Sequence, residues 1–437
     1  MTNLFGTDGI RSKVGSFPLT FNDLTNLGKA ISLWSLAKVK EPKILIATDT
    51  RISADVLKNS LKSGLLQYKI NLFDAQILPT PIIYQLVQKQ KLFDFGLMLT
   101  ASHNPFHDNG VKIISKNNVK ISEADEVLIS EYFINQKFKD IDYENLGKEY
   151  FYFDSEKNYL NDIQKYFEDE FLKNKKIILD CANGATSTIA INIFKNFGAN
   201  IITINNQPNG KNINSDCGST KPKALQEKVI SEKADFGFAF DGDGDRIAIV
   251  TKDGNIKDGD EILAFLSESP KYKNQDIVGT IMSNLGLELF MQRKSQKMWR
   301  TQVGDKYVVQ KLIDEKLLLG GEQSGHIIML DYLNSSDGIF TALSVAQEAL
   351  RTNNLNMDSF IKFPQLIMNL QVEKKKNLKE EPFASIIKNS EKKIQPGRLV
   401  VRYSGTESLL RIMVESENTE KANEMTYELL HQLKQLL

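Results

Sequence analysis

A chain of 437 residues is long enough for about three domains of ~150 residues, and its 41% hydrophobic and 25% charged residues exclude a fibrous or disordered protein. Its 55 basic residues balance 55 acidic ones, so the net charge is zero and no overall field favours nucleic acid. Any anion site must therefore be local.

Cysteine content and the N-terminal segment predict the compartment. Cys181 and Cys217 are too few for a disulfide framework, which favours a reducing environment in which both are inert core residues. The N-terminus lacks the basic and apolar pattern of a secretory signal, and no run approaches the ~18 apolar residues of a membrane span. We expect a cytoplasmic protein with neither a membrane nor a nucleic-acid partner.

Short apolar runs alternate with amphipathic segments along the chain. The segments 54–68 and 186–198 have apolar residues at helical spacing. Alternation of buried strands and helices predicts parallel α/β layers, in which ligands bind beyond the carboxyl ends of the strands. The predicted strands are 43–49, 95–100, 176–181, 236–240 and 276–284.

An internal repeat indicates related units. The tripeptide Asp-Phe-Gly opens a predicted strand at 94–96 and another at 235–237, and both strands run into polar loops. The segment 317–325 also passes from an apolar run into a Gly-rich loop. We therefore predict three related α/β domains with mixed sheets, followed by a smaller α+β domain. The predicted boundaries are 1–150, 151–252, 253–365 and 366–437, with surface connections at 131–160 and 371–396.

The loop 241–246, with sequence DGDGDR, is the strongest candidate for a metal site. Asp241, Asp243 and Asp245 alternate with glycines that permit tight curvature, so their carboxylates can converge on one cation. Few protein ligands and an open position suit Mg²⁺ completed by a phosphate oxygen, which Arg246 would also hold. The alternative is a polar turn with repelling carboxylates, which is costly directly after a buried strand.

The loop 100–113, with sequence TASHNPFHDNGVKI, supplies a hydroxyl, an imidazole and an amine in Ser102, His103 and Lys112. Serine becomes an effective nucleophile when a neighbouring cation or base assists it, and Ser102 would then be a covalent phosphate carrier. The alternative is a serine that only caps a helix or supports the turn at 104–105.

Two later loops have the chemistry of sugar and phosphate binding. In GGEQSGH at 320–326, Glu322, Ser324 and His326 suit adjacent sugar hydroxyls, with a solvated loop as the alternative. The segment RYSGTES at 402–408 combines a guanidinium, hydroxyls and flexible backbone amides, which suits a phosphate, with a β-hairpin turn as the alternative. Together the four loops predict phosphoryl transfer on a phosphorylated sugar.

These motifs, in this order, resemble those of the α-D-phosphohexomutases, and most closely the branch that acts on glucosamine phosphates. Gln323 supports that branch, because phosphomannomutase relatives typically have Met there. The resemblance extends over nearly the whole chain. Its segments are FGTDGIR at 5–11, TASHNP at 100–105, LDCANGA at 179–185, NINSDCGST at 212–220, FDGDGDR at 240–246, VGDKYV at 303–308, GGEQSGH at 320–326 and YSGTE at 403–407.

The resemblance implies four domains around a central cleft and a role for each motif. Ser102 would be the phosphoserine and would bind Mg²⁺ together with Asp241, Asp243 and Asp245. The other catalytic residues would be Arg11, His103, Lys112, Arg246 and His326. The substrate-binding residues would be Lys306, Glu322, Ser324, Arg402, Ser404, Gly405, Thr406 and Arg411. Departures from the family pattern are Ser12, Lys306, Tyr403 and Ser408, none of which removes a chemical role.

The implied reaction is the reversible conversion of glucosamine 6-phosphate into glucosamine 1-phosphate through a sugar bisphosphate, which supplies UDP-N-acetylglucosamine synthesis. Hexosamine or glucose 1,6-bisphosphate would be the activator. Three alternatives stay open: phosphoglucomutase or phosphomannomutase activity, a non-catalytic sugar-phosphate-binding protein, and a metal-dependent phosphatase. The oligomeric state is also open, with a homodimer as the candidate.

Overall fold

The structure is a computed structural model that describes residues 4–6, 8–116, 121–136, 138, 142–403 and 409–437. Its named strands form four sheets, of six, five, four and three strands, in successive parts of the chain. The predicted class, three related mixed-sheet α/β domains and a smaller C-terminal α+β domain, is confirmed.

The first two domains contain the serine loop and the acidic loop. The first has β1 (Ile10–Lys13), α1 (Phe21–Lys38), β2 (Lys43–Thr48), α2 (Ala54–Leu65), β3 (Asn71–Ile77), α3 (Thr80–Tyr84) with a π-helical turn (Gln85–Lys89), β4 (Phe95–Leu99), β5 (Asp108–Ser115), α4 (Glu123–Asn135) and β6 (Lys148–Phe151). The second has α5 (Ser155–Ile163) with a 3-10 turn (Gln164–Tyr166), β7 (Lys176–Asp180), α6 (Thr186–Asn196), β8 (Asn200–Ile204), α7 (Lys223–Glu232), β9 (Phe236–Phe240), β10 (Ile247–Thr251) and β11 (Ile256–Lys257).

The last two domains contain the Gly-rich loop and the candidate phosphate clamp. The third has α8 (Gly259–Ser267), β12 (Ile277–Thr280), α9 (Leu285–Arg293), β13 (Met298–Thr301), α10 (Asp305–Asp314), β14 (Leu319–Gly321), β15 (Ile327–Met329) and α11 (Gly338–Thr352). The fourth has β16 (Gln365–Gln371), α12 (Phe383–Lys393), β17 (Gly397–Tyr403), β18 (Leu409–Ser416) and α13 (Thr419–Lys434).

The first three sheets share one strand order. It reads β3-β2-β4-β5 in the first domain, β8-β7-β9-β10 in the second and β13-β12-β14-β15 in the third. In each, three strands are parallel and the fourth is antiparallel, so a tight loop joins the last parallel strand to its antiparallel neighbour. The serine, acidic and Gly-rich loops occupy these three equivalent positions, which explains the repeat in the sequence.

Core packing distinguishes the fourth domain from the others. One buried apolar cluster runs through the first three domains and includes Ile82, Phe238 and Leu343. The fourth domain has its own cluster, built around Ile412 and Leu429. The first three domains are therefore held together by a continuous core, whereas the described core of the fourth is separate.

Three expectations about local structure need correction. Segment 131–160 contains β6, an edge strand whose residues are all exposed and therefore show no apolar alternation. Segment 371–396 is more than a surface connection, because it contains α12, which packs on β17 and α13. The strand predicted at 276–284 ends at Thr280, and Asn284 caps α9. No described helix has the length and apolar character needed to span a bilayer.

Candidate active site

The three equivalent loops converge on one buried site. Oγ of Ser102, after β4, donates to Oδ2 of Asp241, after β9, at 2.7 Å. Nε2 of His326, after β14, lies 2.9 Å from Oδ1 of Asp245. A Cβ at Gly242 would lie 2.6 Å from the Ser102 carbonyl oxygen, so this position needs a glycine for the two loops to approach.

The backbone at Ser102 is held in an unusual conformation. Ser102 has φ of 50°, in the left-handed region that non-glycine residues rarely adopt, and it is 1% exposed. Its N–H donates to Oγ1 of Thr100 at 2.8 Å. Such a conformation persists where surrounding contacts over-determine it, and it directs Oγ toward the acidic loop.

Those contacts include residues that the sequence motifs did not single out. The guanidinium of Arg51 donates to the carbonyls of Ser102, Asn104, Pro105 and Asp108, with bonds of 3.0, 2.9 and 3.0 Å to Ser102, Asn104 and Asp108. Arg51 follows β2, at the same sheet edge as the serine loop, which is the signal that could have identified it.

Two further contacts complete the support of the serine loop. Asp49 pairs with Arg51 at 2.9 Å and accepts from Oγ1 of Thr100 at 2.7 Å, which orients both partners. From the second domain, Nδ2 of Asn214 donates to the Ser102 carbonyl at 2.8 Å. Asn214 lies in NINSDCGST, a segment that was notable in the sequence only for its family resemblance.

The acidic trio is arranged as a set of metal ligands. Asp241, Asp243 and Asp245 are buried, and each offers an oxygen within 4.8 Å of the others. Oδ2 of Asp243 accepts from Thr80 at 2.6 Å and from Lys112 at 2.9 Å. Its Oδ1 is buried without a hydrogen-bond partner among the described residues. An orphaned carboxylate oxygen beside two further carboxylates fits a divalent cation.

The electrostatics of the trio also favour an added positive charge. Burial and the carboxylates of Asp245 and Asp243 raise the pKa of Asp241 to about 8. Lys112 bonds Asp243 and Asp245, and Asp8 lies 3.0 Å away. Burial opposes its charge, but these carboxylates raise the pKa of Lys112 well above its ordinary value. Even with the ammonium group of Lys112 beside the trio, the raised pKa shows that Asp241 favours its protonated form.

His326 connects the Gly-rich loop to the acidic loop. Its Nδ1 lies 2.9 Å from Oε2 of Glu322 and its Nε2 2.9 Å from Oδ1 of Asp245. Burial opposes protonation, yet the two carboxylates raise the pKa of His326 to about 10, so the ring is an imidazolium at neutral pH. Oε1 of Glu322 accepts from the Gly304 N–H at 2.9 Å. The segment that contains Lys306 is therefore joined to this loop, on which Ser324 is exposed.

His103 has the opposite protonation state. Burial, together with the positive charges of Arg246 and Arg11, lowers the pKa of His103 to about 3, so its ring is neutral. Its Nδ1 lies 3.5 Å from Oγ of Ser102. Arg11, on β1, lies 3.5 Å from Asp8, which places it beside the Lys112 cluster.

The fourth domain presents a pair of arginines. Arg402 on β17 and Arg411 on β18 are register partners. Burial and the neighbouring Arg411 lower the pKa of Arg402, and its Nε is buried without a hydrogen-bond partner among the described residues. A guanidinium whose charge is disfavoured by burial and by a second guanidinium beside it fits an anion. Ser404, Gly405 and Thr406 lie outside the described residues.

Comparisons with known proteins identify the class. Models of phosphoglucomutase/phosphomannomutase α/β/α domains I, II and III match residues 2–140, 157–254 and 258–365, and the model of the C-terminal domain matches residues 367–432. The chain therefore belongs to the phosphoglucomutase/phosphomannomutase family of phosphohexomutases.

Its similar relatives specify a branch of that family. The chain is 39% identical to the phosphoglucosamine mutase of Caldicellulosiruptor saccharolyticus over 96% of both chains, and 38% identical to that of Thermodesulfovibrio yellowstonii over 98% of both. Among solved structures, a phosphoglucomutase/phosphomannomutase family protein from Burkholderia thailandensis superposes with a TM-score of 0.80 at 22% identity, covering 99% of this chain and 98% of that one. The similarity to this solved structure supports the four-domain fold described above.

Proposed function

We propose that the protein catalyses the reversible conversion of glucosamine 6-phosphate into glucosamine 1-phosphate, the reaction of a phosphoglucosamine mutase. The observation that carries the proposal is the 2.7 Å hydrogen bond between Ser102 and Asp241, which joins a candidate nucleophile to a buried acidic trio. The full-length similarity to phosphoglucosamine mutases supports the amino sugar as substrate.

In the proposed cycle, phospho-Ser102 transfers its phosphoryl group to the free hydroxyl of the bound sugar. The bond between phosphorus and Oγ breaks as the bond to the sugar oxygen forms, and the net proton transfer is from the sugar hydroxyl to Oγ, which gives a sugar bisphosphate and an unmodified serine. The bisphosphate turns end for end, and its other phosphate returns to Ser102. Lys112, Arg246 and Arg11 provide positive charge around the reacting group, while neutral His103 adds hydrogen-bonding capacity without adding charge.

The resident metal in this proposal is Mg²⁺. Asp241, Asp243 and Asp245 would hold it together with the phosphate on Ser102, and the unpartnered Oδ1 of Asp243 fits that role. The ion would neutralise charge on the transferring group. Hexosamine or glucose 1,6-bisphosphate would supply the first phosphate to Ser102.

The rest of the substrate would be bound by two groups of residues. Glu322, Ser324 and Lys306 would contact the sugar, with His326 orienting Glu322 through their 2.9 Å contact. Arg402 and Arg411, with Ser404, Gly405 and Thr406, would bind the distal phosphate. A clamp that binds a phosphate on either sugar carbon allows both orientations of the substrate.

Replacing Ser102 tests the proposal most directly. Ser102→Ala should lower kcat by at least ~10⁴-fold, because it removes the oxygen that donates the phosphoryl group in the first half-reaction and accepts it in the second. The exposed Ser231→Ala is the matched control and should retain full activity. Intact-mass analysis should find one phosphate on the wild type and none on Ser102→Ala. Full activity of Ser102→Ala would refute serine phosphotransfer.

Substrate comparison separates the proposal from its nearest alternative. We expect a higher kcat/KM for glucosamine 6-phosphate than for glucose 6-phosphate or mannose 6-phosphate. The reverse order would assign phosphoglucomutase or phosphomannomutase activity. Steady release of inorganic phosphate without isomerisation would instead indicate a phosphatase.

A further inference from the structure

A hydrogen-bond chain leads from the Gly-rich loop into the fourth domain. Gln323 follows Glu322 in that loop, and its Nε2 donates to Oε1 of Gln365 at 3.1 Å. Gln365 opens β16, which pairs with β18 over its whole length. This bond therefore joins the candidate sugar-binding loop to the sheet of the candidate phosphate clamp.

The chain continues through a buried glutamate. Nε2 of Gln365 donates to Oε1 of Glu415 at 3.1 Å and to the Met282 carbonyl at 3.2 Å. Glu415 is 0% exposed, and its Oε2 accepts from Nε of Arg398 at 2.6 Å. A buried carboxylate with a guanidinium and an amide on its two oxygens has few ways to rearrange.

Arg398 in turn grips the third domain. Its Nη1 donates to the Ile281 carbonyl at 2.8 Å and its Nη2 to the Ser283 carbonyl at 2.7 Å. The same Ser283 carbonyl accepts from Nη1 of Arg300, on β13, at 2.7 Å. The turn between β12 and α9 is thus held by one arginine from each domain.

The anchor and the phosphate clamp are two parts of one strand pair. Arg398 is the register partner of Glu415, and Arg402 is the register partner of Arg411. Residues four apart on a strand share a face and lie about 13 Å apart along it. Because both pairs belong to the same two hydrogen-bonded strands, a displacement of the Arg398–Glu415 pair should also displace the Arg402–Arg411 pair.

We propose that Gln365 is a positioning residue that sets the distance between the sugar-binding loop and the phosphate-binding arginines, through Gln323 on one side and Glu415 on the other. The inference rests on the proposed function of both sites. Both half-reactions require the arginines to bind the distal phosphate. Loss of this positioning should therefore weaken binding of the sugar phosphate and favour dissociation of the bisphosphate intermediate. Phosphoryl transfer at Ser102 should be unaffected.

The test compares Gln365→Leu, Gln323→Leu and the double variant with the exposed control Gln310→Leu. With saturating glucose 1,6-bisphosphate present to rephosphorylate Ser102, we expect Gln365→Leu to raise KM for glucosamine 6-phosphate about five- to tenfold and to increase released glucosamine 1,6-bisphosphate per turnover, with kcat changed less than twofold. A merely structural role would lower the active fraction and hence kcat. If the two glutamines act in one chain, the double variant should match Gln365→Leu.

Two results would overturn the inference: KM and bisphosphate release that stay within twofold of the wild type, or single-variant effects that multiply in the double variant. Calorimetric Kd values for glucosamine 6-phosphate, measured with Ser102→Ala added to each variant, test the same positioning without turnover. Wild-type protein that binds this ligand but does not isomerise it would refute the proposed function, and the Kd of Gln365→Leu would still decide the inference.

Discussion

The reaction end and the phosphate end of the site favour ligands of opposite charge. Around Ser102, the buried trio leaves Asp243 Oδ1 without a described partner and raises the pKa of Asp241 to about 8, so this end favours a cation. At Arg402, burial and Arg411 lower the pKa of a guanidinium, so that end favours an anion. The first end borders the continuous core, to which Phe240 and Ile247 on either side of the acidic loop belong, and the second lies in the separately packed domain. At each end, a bound ion of opposite charge would therefore stabilise the buried charges of the protein.

The largest expected effect on this comparison comes from Asp243→Asn. It removes one carboxylate from the trio while Lys112 keeps Asp8 and Asp245, so the fold should persist. We expect kcat to fall about 10³-fold, the size of losing one stabiliser of developing charge. Steady-state kinetics at saturating Mg²⁺ measure it, with the exposed Asp216→Asn as control. Unchanged kcat would place the cation site elsewhere.

The complementary change at the phosphate end is Arg402→Gln. We expect KM for glucosamine 6-phosphate to rise about 10- to 100-fold, because a hydrogen bond to a charged group is lost. The unfolding midpoint should stay level or rise, since burial and Arg411 disfavour the charge of Arg402, which the substitution removes. Arg351→Gln, on an exposed helix end, is the control. A fall in thermal stability with unchanged KM would contradict the anion-site interpretation.

Arg51→Lys tests whether the serine loop is held ready before substrate binds. A lysine keeps the charge beside Asp49 but cannot reach all four carbonyls that the guanidinium serves. We expect kcat to fall about tenfold with KM nearly unchanged, because Ser102 is misplaced rather than removed. The exposed Arg293→Lys is the matched control. A variant with altered KM and normal kcat would argue against this positioning.

The sequence predicted the reacting groups better than the groups that hold them. Asp241 and Ser102 follow buried apolar runs, and carboxyl ends of parallel strands meet at one sheet edge, so local pattern was sufficient. Arg51 was missed because the carbonyls it serves lie 51 to 57 positions away and have no side-chain signature. β6 was missed because an exposed edge strand needs no apolar alternation. Gln365 could not be identified from the sequence, because its proposed role depends on hydrogen bonds to Gln323 and Glu415, which are far from it along the chain.

The smallest expected effect, on stability alone, comes from Asp337, a buried carboxylate of the continuous core that caps α11 and accepts from Tyr159 and Tyr332. Burial raises the pKa of Asp337 to about 6. The folded state then binds more protons than the unfolded chain between pH ~4 and ~6. Protonation of Asp337 therefore contributes its full amount to the free energy of unfolding below pH ~4, and that contribution is lost as the pH rises through ~6.

Asp337→Asn cannot titrate, and its amide keeps an oxygen for the helix cap. Its unfolding free energy relative to the wild type should therefore increase by about 1–3 kcal/mol from pH 4 to pH 7, because only the wild type loses stability as this carboxyl ionises. Urea unfolding at both pH values measures this, with the exposed Asp253→Asn as control and kcat expected to be unchanged. A flat difference would mean that the hydrogen bonds to Asp337 offset the effect of burial on its pKa, and a difference that falls with pH would mean that this carboxylate is stabilised as an anion. Either result would show that burial alone does not decide the charge of this acid.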